Sequence, residues 1–126
     1  MNFAVLLVLL FLAVTFLQSG YDKIMDWQGN IGWLKGHFSS TFIRNQVPSA
    51  LGVVLVLEMI AGILCLVGVV ENLMGTGTVF GLSACVLSCV TLGILLFGQR
   101  IAKDYDGART IVIYFMPALF GVYLLQ

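Results

Sequence analysis

The segment VPSALGVVLVLEMIAGILCLVGVV, residues 47–70, decides the fold of this chain. Its side chains are almost all apolar, and Glu58 is its only formal charge. A transmembrane helix needs about 20 predominantly apolar residues, because about 30 Å of hydrocarbon must be crossed at about 1.5 Å per residue. We therefore predict that residues 48–70 form a membrane-spanning helix.

Three further apolar runs flank this segment and predict the rest of the architecture. They give transmembrane helices over 3–22, 75–98 and 107–125, of which the first and last include short polar extensions. Of the 126 residues, 60% are hydrophobic and 10% charged, which leaves too little polar surface for a water-soluble domain. Short connections favour antiparallel neighbours. We predict one all-α domain over 1–126, an integral membrane four-helix bundle with up-down-up-down topology.

The first apolar run lacks two features of a cleaved signal peptide. Its leading residues, Met-Asn-Phe, contain no basic side chain, and no A-x-A pattern precedes the polar residues that follow. We expect this helix to be retained as the first span.

The distribution of positive charge predicts the orientation of the bundle. All six Lys and Arg residues lie within 23–44 and 100–109, in the connections between spans one and two and between spans three and four. Because cytoplasmic loops carry an excess of Lys and Arg, we expect both connections to be cytoplasmic and both termini to lie outside.

The long first connection has a helical pattern of its own. Ile31, Leu34, Phe38 and Phe42 recur every three or four residues between polar side chains. This spacing predicts a short amphipathic segment at the membrane interface. Such a segment is either a lid packed on the bundle or a gate for a substrate.

The third span carries small residues at four-residue intervals: Gly77, Gly81, Cys85, Cys89 and Gly93. Small side chains let neighbouring helices approach closely in a membrane, so we interpret this stripe as a helix-packing surface. Cys85 and Cys89 lack the spacing of a redox pair, and we interpret them, with Cys65, as small buried residues. A disulfide between the second and third spans is left open.

Several classes of site are excluded by the residue inventory. A lone His37 and three scattered cysteines match no haem, zinc or iron–sulfur ligand pattern, so we expect no metal. The chain has no phosphate-binding loop, no nucleophile–base motif and no basic patch suited to nucleic acid. We find no self-contained catalytic site and no electron carrier, so any redox reaction would require a partner protein.

Polar residues close to the membrane mark the candidate site. They are Ser19, Asp22 and Lys23 at the end of span one, Glu58 within span two, and Gln99, Arg100 and Asp104 at the end of span three. Glu58 lies about ten residues into its span, or about 15 Å deep. A carboxylate at that depth must be protonated, paired or open to water. The group is either a ligand pocket or an ion-pair network that fixes the bundle, with Lys23 or Arg100 as the cation.

Three motifs give the chain a family resemblance. The sequences FLQSGYDK (16–23), EMIAG (58–62) and QRIAKDYDGA (99–108) resemble those of the DoxX family of small bacterial membrane proteins. The resemblance extends over the whole chain in length, span number and motif order. It implies a protein of the bacterial inner membrane, linked to quinone-dependent redox complexes.

The resemblance also implies roles for particular residues. Ser19, Gly20, Lys23, Glu58 and Arg100 would contact a quinone head group or a partner subunit. The expected function is an accessory or quinone-interacting subunit of a membrane redox assembly. Two alternatives remain: an assembly subunit of another membrane complex or a homo-oligomer, and a small-solute or proton-coupled transporter.

Overall fold

The computed structural model describes residues 2–38 and 46–126, and this part of the chain is helical without strands. Its helices are α1 (Phe3–Met25), α2 (Trp27–His37), α3 (Val47–Met74), α4 (Val79–Ile101) and α5 (Tyr105–Leu125). Four of them, α1, α3, α4 and α5, are long and apolar enough to cross a membrane. The predicted all-α four-helix bundle is confirmed.

Contacts between α1 and α3 establish that these helices are antiparallel. At one end, the Asn2 backbone N–H donates to the Asn72 side-chain oxygen over 3.3 Å, and the Asn72 amide donates to the Asn2 carbonyl over 3.1 Å. Towards the other end, Lys23 of α1 contacts Glu58 in the first half of α3. Because only residues 75–78 and 102–104 separate the later helices, α4 and α5 continue the up-down-up-down order. We call the end that contains Lys23 and the α4–α5 connection the charged end.

The helix boundaries differ from the predicted spans for local reasons. Helix α1 extends to Met25, because polar residues continue the helix past the apolar run. Helix α4 begins at Val79 rather than near residue 75. Gly75 has φ +68° and Gly77 has φ +142°, backbone conformations that favour glycine and end α3 in a tight turn.

The interior is narrow, and most of the apolar surface faces outward. Val5, Leu9, Leu12 and Phe16 form the buried face of α1 at helical spacing. Only 33% of the most apolar stretch of α1, α3 and α4, and 17% of that of α5, is buried inside the protein. An apolar exterior of this extent suits lipid rather than water, so the chain is a multi-pass membrane protein.

The small-residue stripe of α4 contributes to packing at only part of its length. A Cβ on Gly68 would lie 2.8 Å from the Gly81 Cα, so α3 and α4 cross in close backbone contact, and Cys85 is buried beside it. Gly77 precedes α4, and a Cβ on Gly93 would meet nothing within 4 Å. The predicted stripe is therefore wrong at both ends.

The geometry of the α-helix explains that error. Four residues advance a helix by about 400°, so each four-residue step rotates about 40° away from the previous position. By Gly93 the stripe has turned about 120° from Gly81. The face that α4 actually buries repeats at three and four residues: Gly81, Ala84, Cys85, Ser88, Thr91 and Leu92.

Helix α2 is the short segment expected after the first span. A single residue, Asp26, separates it from α1. The helix buries Ile31 and packs against α3 and α1. Leu34 and Phe38 are half-buried, and Phe42 lies outside the described residues. The helix therefore covers the charged end of the bundle.

Candidate functional site

The centre of the candidate site is an ion pair between α1 and α3. Glu58 lies 11 residues after the first residue of α3, about 16 Å along the helix axis. Its side chain is 1% exposed, and the Lys23 Nζ lies 3.0 Å from its Oε1. Lys23 is 18% exposed and also donates a hydrogen bond of 2.7 Å to the Ser19 hydroxyl, one helical turn earlier. The cation thus reaches the carboxylate from the last turns of α1.

The hydrogen bonds of the Glu58 carboxylate are incomplete. Among the described residues, neither Oε1 nor Oε2 accepts a hydrogen bond, although both are buried. The Lys23 ammonium is close enough to Oε1 for charge pairing, but this contact lacks the angles of a hydrogen bond. Oε2 likewise accepts no hydrogen bond from the described residues. A buried carboxylate normally accepts several hydrogen bonds, so this one is an exception that points to a ligand or water.

A cavity of about 470 Å³ borders the ion pair, and we call it the inner cavity. Its polar boundary includes Ser19, Lys23, Glu58, His37 and Gln99. Its apolar walls come from α2, α3 and α4 and include Trp33, Leu51, Val54, Leu95 and Phe97. The volume and the mostly apolar lining are those of a small-molecule site.

A second polar group lies where α2 meets α4. The His37 Nε2 is 3.3 Å from the Gln99 Oε1 and 3.7 Å from the Asp104 Oδ2. The His37 ring stacks on Trp33 with 4.6 Å between ring centroids. Asp104 also accepts a hydrogen bond of 3.0 Å from the Gly107 N–H and thereby caps α5. These contacts fix α2 over the inner cavity.

Glu58 also borders an adjoining cavity of about 320 Å³, which shares Ser19, Leu95 and Ile111 with the inner cavity and which we call the side cavity. Its polar lining comes from Thr15, Gln18, Ser19 and Asp22 of α1, together with Tyr114 of α5. Asp22 is exposed, so this cavity follows α1 from the surface to the buried carboxylate. Glu58 therefore borders both cavities.

The predicted site residues fall into three groups. Ser19, Lys23, Glu58 and Gln99 border the inner cavity, and Asp104 adjoins it through His37. Asp22 borders only the side cavity.

The other two predicted residues, Gly20 and Arg100, do not border either cavity. Gly20 is buried in the α1–α3 contact, where a Cβ would lie 2.5 Å from the Met59 sulfur. Arg100 lies on the outer surface of α4 and α5, with its guanidinium carbon 5.5 Å from the Tyr105 ring centroid. It does not approach Glu58.

His37 belongs to the site although its position in the sequence did not predict it. Along α2, the residues that border the inner cavity are Asn30, Trp33, Leu34 and His37, one face at helical spacing. The same three- and four-residue spacing, applied to the polar residues as well as the apolar ones, would have predicted that His37 lies on this face.

The searches and the inventory of ligand groups give no further assignment. No family model matches the chain, and neither the curated proteins nor the solved structures contain a match. Within residues 2–38 and 46–126, no group of three or more His, Cys, Asp or Glu side chains is arranged to hold a metal ion. All three cysteines are free.

Proposed function

We propose that this protein is a quinone-binding accessory subunit of a bacterial inner-membrane redox assembly, as its resemblance to the DoxX family implies. The observation that carries the proposal is the inner cavity, a largely apolar space with a buried ion pair at one side and the His37–Gln99 contact at another. A quinone requires an apolar slot and a few hydrogen-bond donors for its carbonyl oxygens.

The residues present fit such a head group. Lys23 has three ammonium protons, of which one is used by Ser19, so a further proton is available to a carbonyl oxygen in the cavity. When the His37 ring N–H donates to the Gln99 oxygen, the Gln99 NH₂ group remains a second donor. Donors from α1 and α4 thus border one apolar cavity.

Glu58 has a distinct role in this proposal. A bound quinone would supply two-electron, two-proton chemistry, with the electrons coming from a partner subunit. Glu58 would hold a proton at its carboxylate and exchange it with the side cavity, which extends to the exposed Asp22. Lys23 would balance the charge of the ionised carboxylate.

The test is identification of what co-purifies with the protein in mild detergent. We expect close to one quinone per chain by solvent extraction and chromatography, together with a redox subunit. Val54→Trp, which fills the inner cavity, should abolish the bound quinone, whereas the exposed Asp106→Asn should retain it. Wild-type protein that carries neither quinone nor a redox partner would contradict the proposal.

A proton-coupled transporter is the second candidate, because Glu58 borders two adjoining cavities. A buried carboxylate within the membrane suits the coupling of a proton to a solute. Solute flux in proteoliposomes that is the same in wild type and Glu58→Gln would exclude this function. The assembly-subunit alternative loses part of its basis, since Gly81 packs on Gly68 of the same chain.

A further inference from the structure

The carboxylate oxygen Oε2 of Glu58 bears on which redox form of a quinone the site would bind. Oε2 is buried and accepts no hydrogen bond from residues 2–38 and 46–126. Lys23 lies 3.0 Å from the other oxygen and donates a hydrogen bond to Ser19. Glu58 lines the inner cavity, which is thus bordered by a carboxylate whose oxygens accept no hydrogen bond from the described residues.

A ligand completes this site only if it donates a hydrogen bond. The cost of leaving a buried acceptor unsatisfied exceeds the gain from a typical hydrogen bond, and it is larger for a charged group. A quinone has two carbonyl acceptors and would place oxygen lone pairs against the carboxylate. A hydroquinone has two O–H donors and can pair with Oε2.

We propose that the inner cavity selects the reduced, hydroquinone form of its ligand through an O–H donor to Glu58. This inference rests on the proposed quinone-binding function. The Lys23 and Gln99 donors do not discriminate, because a hydroquinone oxygen and a quinone carbonyl both accept hydrogen bonds. Discrimination between the two forms depends on Glu58.

Selection of the reduced form has an electrochemical consequence. A site that binds hydroquinone more tightly than quinone raises the midpoint potential of the bound couple. For a two-electron couple, each tenfold ratio of dissociation constants corresponds to about 30 mV. The bound ligand would then be easier to reduce than the same molecule in the membrane.

The experiment compares both redox forms on the purified protein. Decylubiquinone and decylubiquinol are titrated anaerobically into delipidated protein in detergent, and binding is measured by equilibrium dialysis and by quenching of tryptophan fluorescence, since Trp33 borders the cavity. The titrations are repeated with Glu58→Gln and with Asp106→Asn, a control whose side chain is 94% exposed.

We expect wild type and Asp106→Asn to bind the hydroquinone about tenfold more tightly, the ratio expected for one hydrogen bond to a charged group. In Glu58→Gln the ratio should fall towards one, because a carboxamide also offers an N–H donor to a carbonyl. The Lys23→Met/Glu58→Gln double variant, which removes the whole ion pair, should also show a ratio close to one. It takes the place of Glu58→Gln in the titrations if Glu58→Gln does not fold.

Other outcomes separate the inference from the proposed function. Equal or tighter binding of the quinone by wild type overturns the selection but leaves quinone binding in place, and points to water as the partner of Oε2. A tenfold preference that persists in Glu58→Gln also overturns it. Absence of binding by either form overturns both the selection and the proposed function.

Discussion

Removal of Lys23 should destabilise the protein more than removal of its partner. In Lys23→Met, Glu58 stays 1% exposed and loses the cation 3.0 Å away. Loss of one partner of a buried ion pair costs about 3–5 kcal/mol, because the remaining charge is left uncompensated. In Glu58→Gln, Lys23 keeps its hydrogen bond to Ser19 and is 18% exposed. We expect this variant to lose about 1–2 kcal/mol.

The double variant measures the coupling between the two side chains. When residue 58 is already Gln, Lys23→Met should lower the free energy of unfolding very little further. The double variant Lys23→Met/Glu58→Gln should therefore be about as stable as Glu58→Gln alone. The expected coupling energy then equals the loss in Lys23→Met alone, about 3–5 kcal/mol, which is at or above the upper end of values for residues in contact.

The assay is reversible denaturation of all four proteins in the same detergent, followed by far-UV circular dichroism. Additive free energies of unfolding, within about 0.5 kcal/mol, would show that the two side chains do not interact. A larger loss in Glu58→Gln than in Lys23→Met would refute the reasoning from burial.

Further predictions concern the packing and the turns, each measured as a change in the free energy of unfolding in detergent. Gly81→Leu should lose about 3 kcal/mol, because a Cβ there would already lie 3.2 Å from the Leu125 Cδ1 in the interior. Gly93→Leu, with nothing within 4 Å of its Cβ, should change stability by less than about 0.5 kcal/mol, and equal losses would contradict the observed packing. Lys103→Gly should gain about 1 kcal/mol, since Lys103 holds φ 60°, a left-handed conformation that costs a side chain of L configuration. Gly75→Ala, at φ +68°, should lose about 1 kcal/mol for the same reason. If Lys103→Gly and Gly75→Ala changed the free energy of unfolding in the same direction, this reasoning from backbone conformation would be contradicted.

The two turns explain why the spans were predictable and their ends were not. Four apolar runs fix the number of spanning helices, because only length and composition matter for crossing the hydrocarbon. The position at which a helix ends depends on local backbone conformation. After α4, Lys103 N–H bonds to the Arg100 carbonyl and Asp104 N–H to the Gln99 carbonyl, and the same pattern at Gly75 and Thr76 ends α3. Glycine signals this turn in the sequence, but lysine does not.

The partner of Glu58 shows how far the sequence defines the site. Depth in the span predicts that the carboxylate needs compensation, and two cations, Lys23 and Arg100, were available to supply it. The choice between them depends on which face α4 buries. Gln99 borders the inner cavity, and the next residue is rotated by about 100° to the outer surface. The period of four assigned to α4 obscured this, whereas the observed period of three and four places Gln99 inside.

The same geometry changes how the positive charges bear on orientation. Lys23, Arg100 and Lys103 lie in the motifs that resemble the DoxX family and so could serve a site there, which left Lys35, Arg44 and Arg109 as the clearer indicators of a cytoplasmic face. Among the described cations, Lys23 alone contacts the bundle interior, through Glu58 and Ser19. Arg100 and Lys103 are exposed at the charged end, as are Lys35 and Arg109, and Arg44 lies outside the described residues.

Four exposed cations therefore lie at one end of the described part of the chain. Exposed cations are those to which the positive-inside rule applies, because no internal contact accounts for their position. The proposal that the charged end faces the cytoplasm thus gains support from the residues first assigned to the site. It also places the exposed Asp22, at the surface end of the side cavity, on the cytoplasmic side. With that orientation, protons that reach Glu58 by this route would come from the cytoplasm.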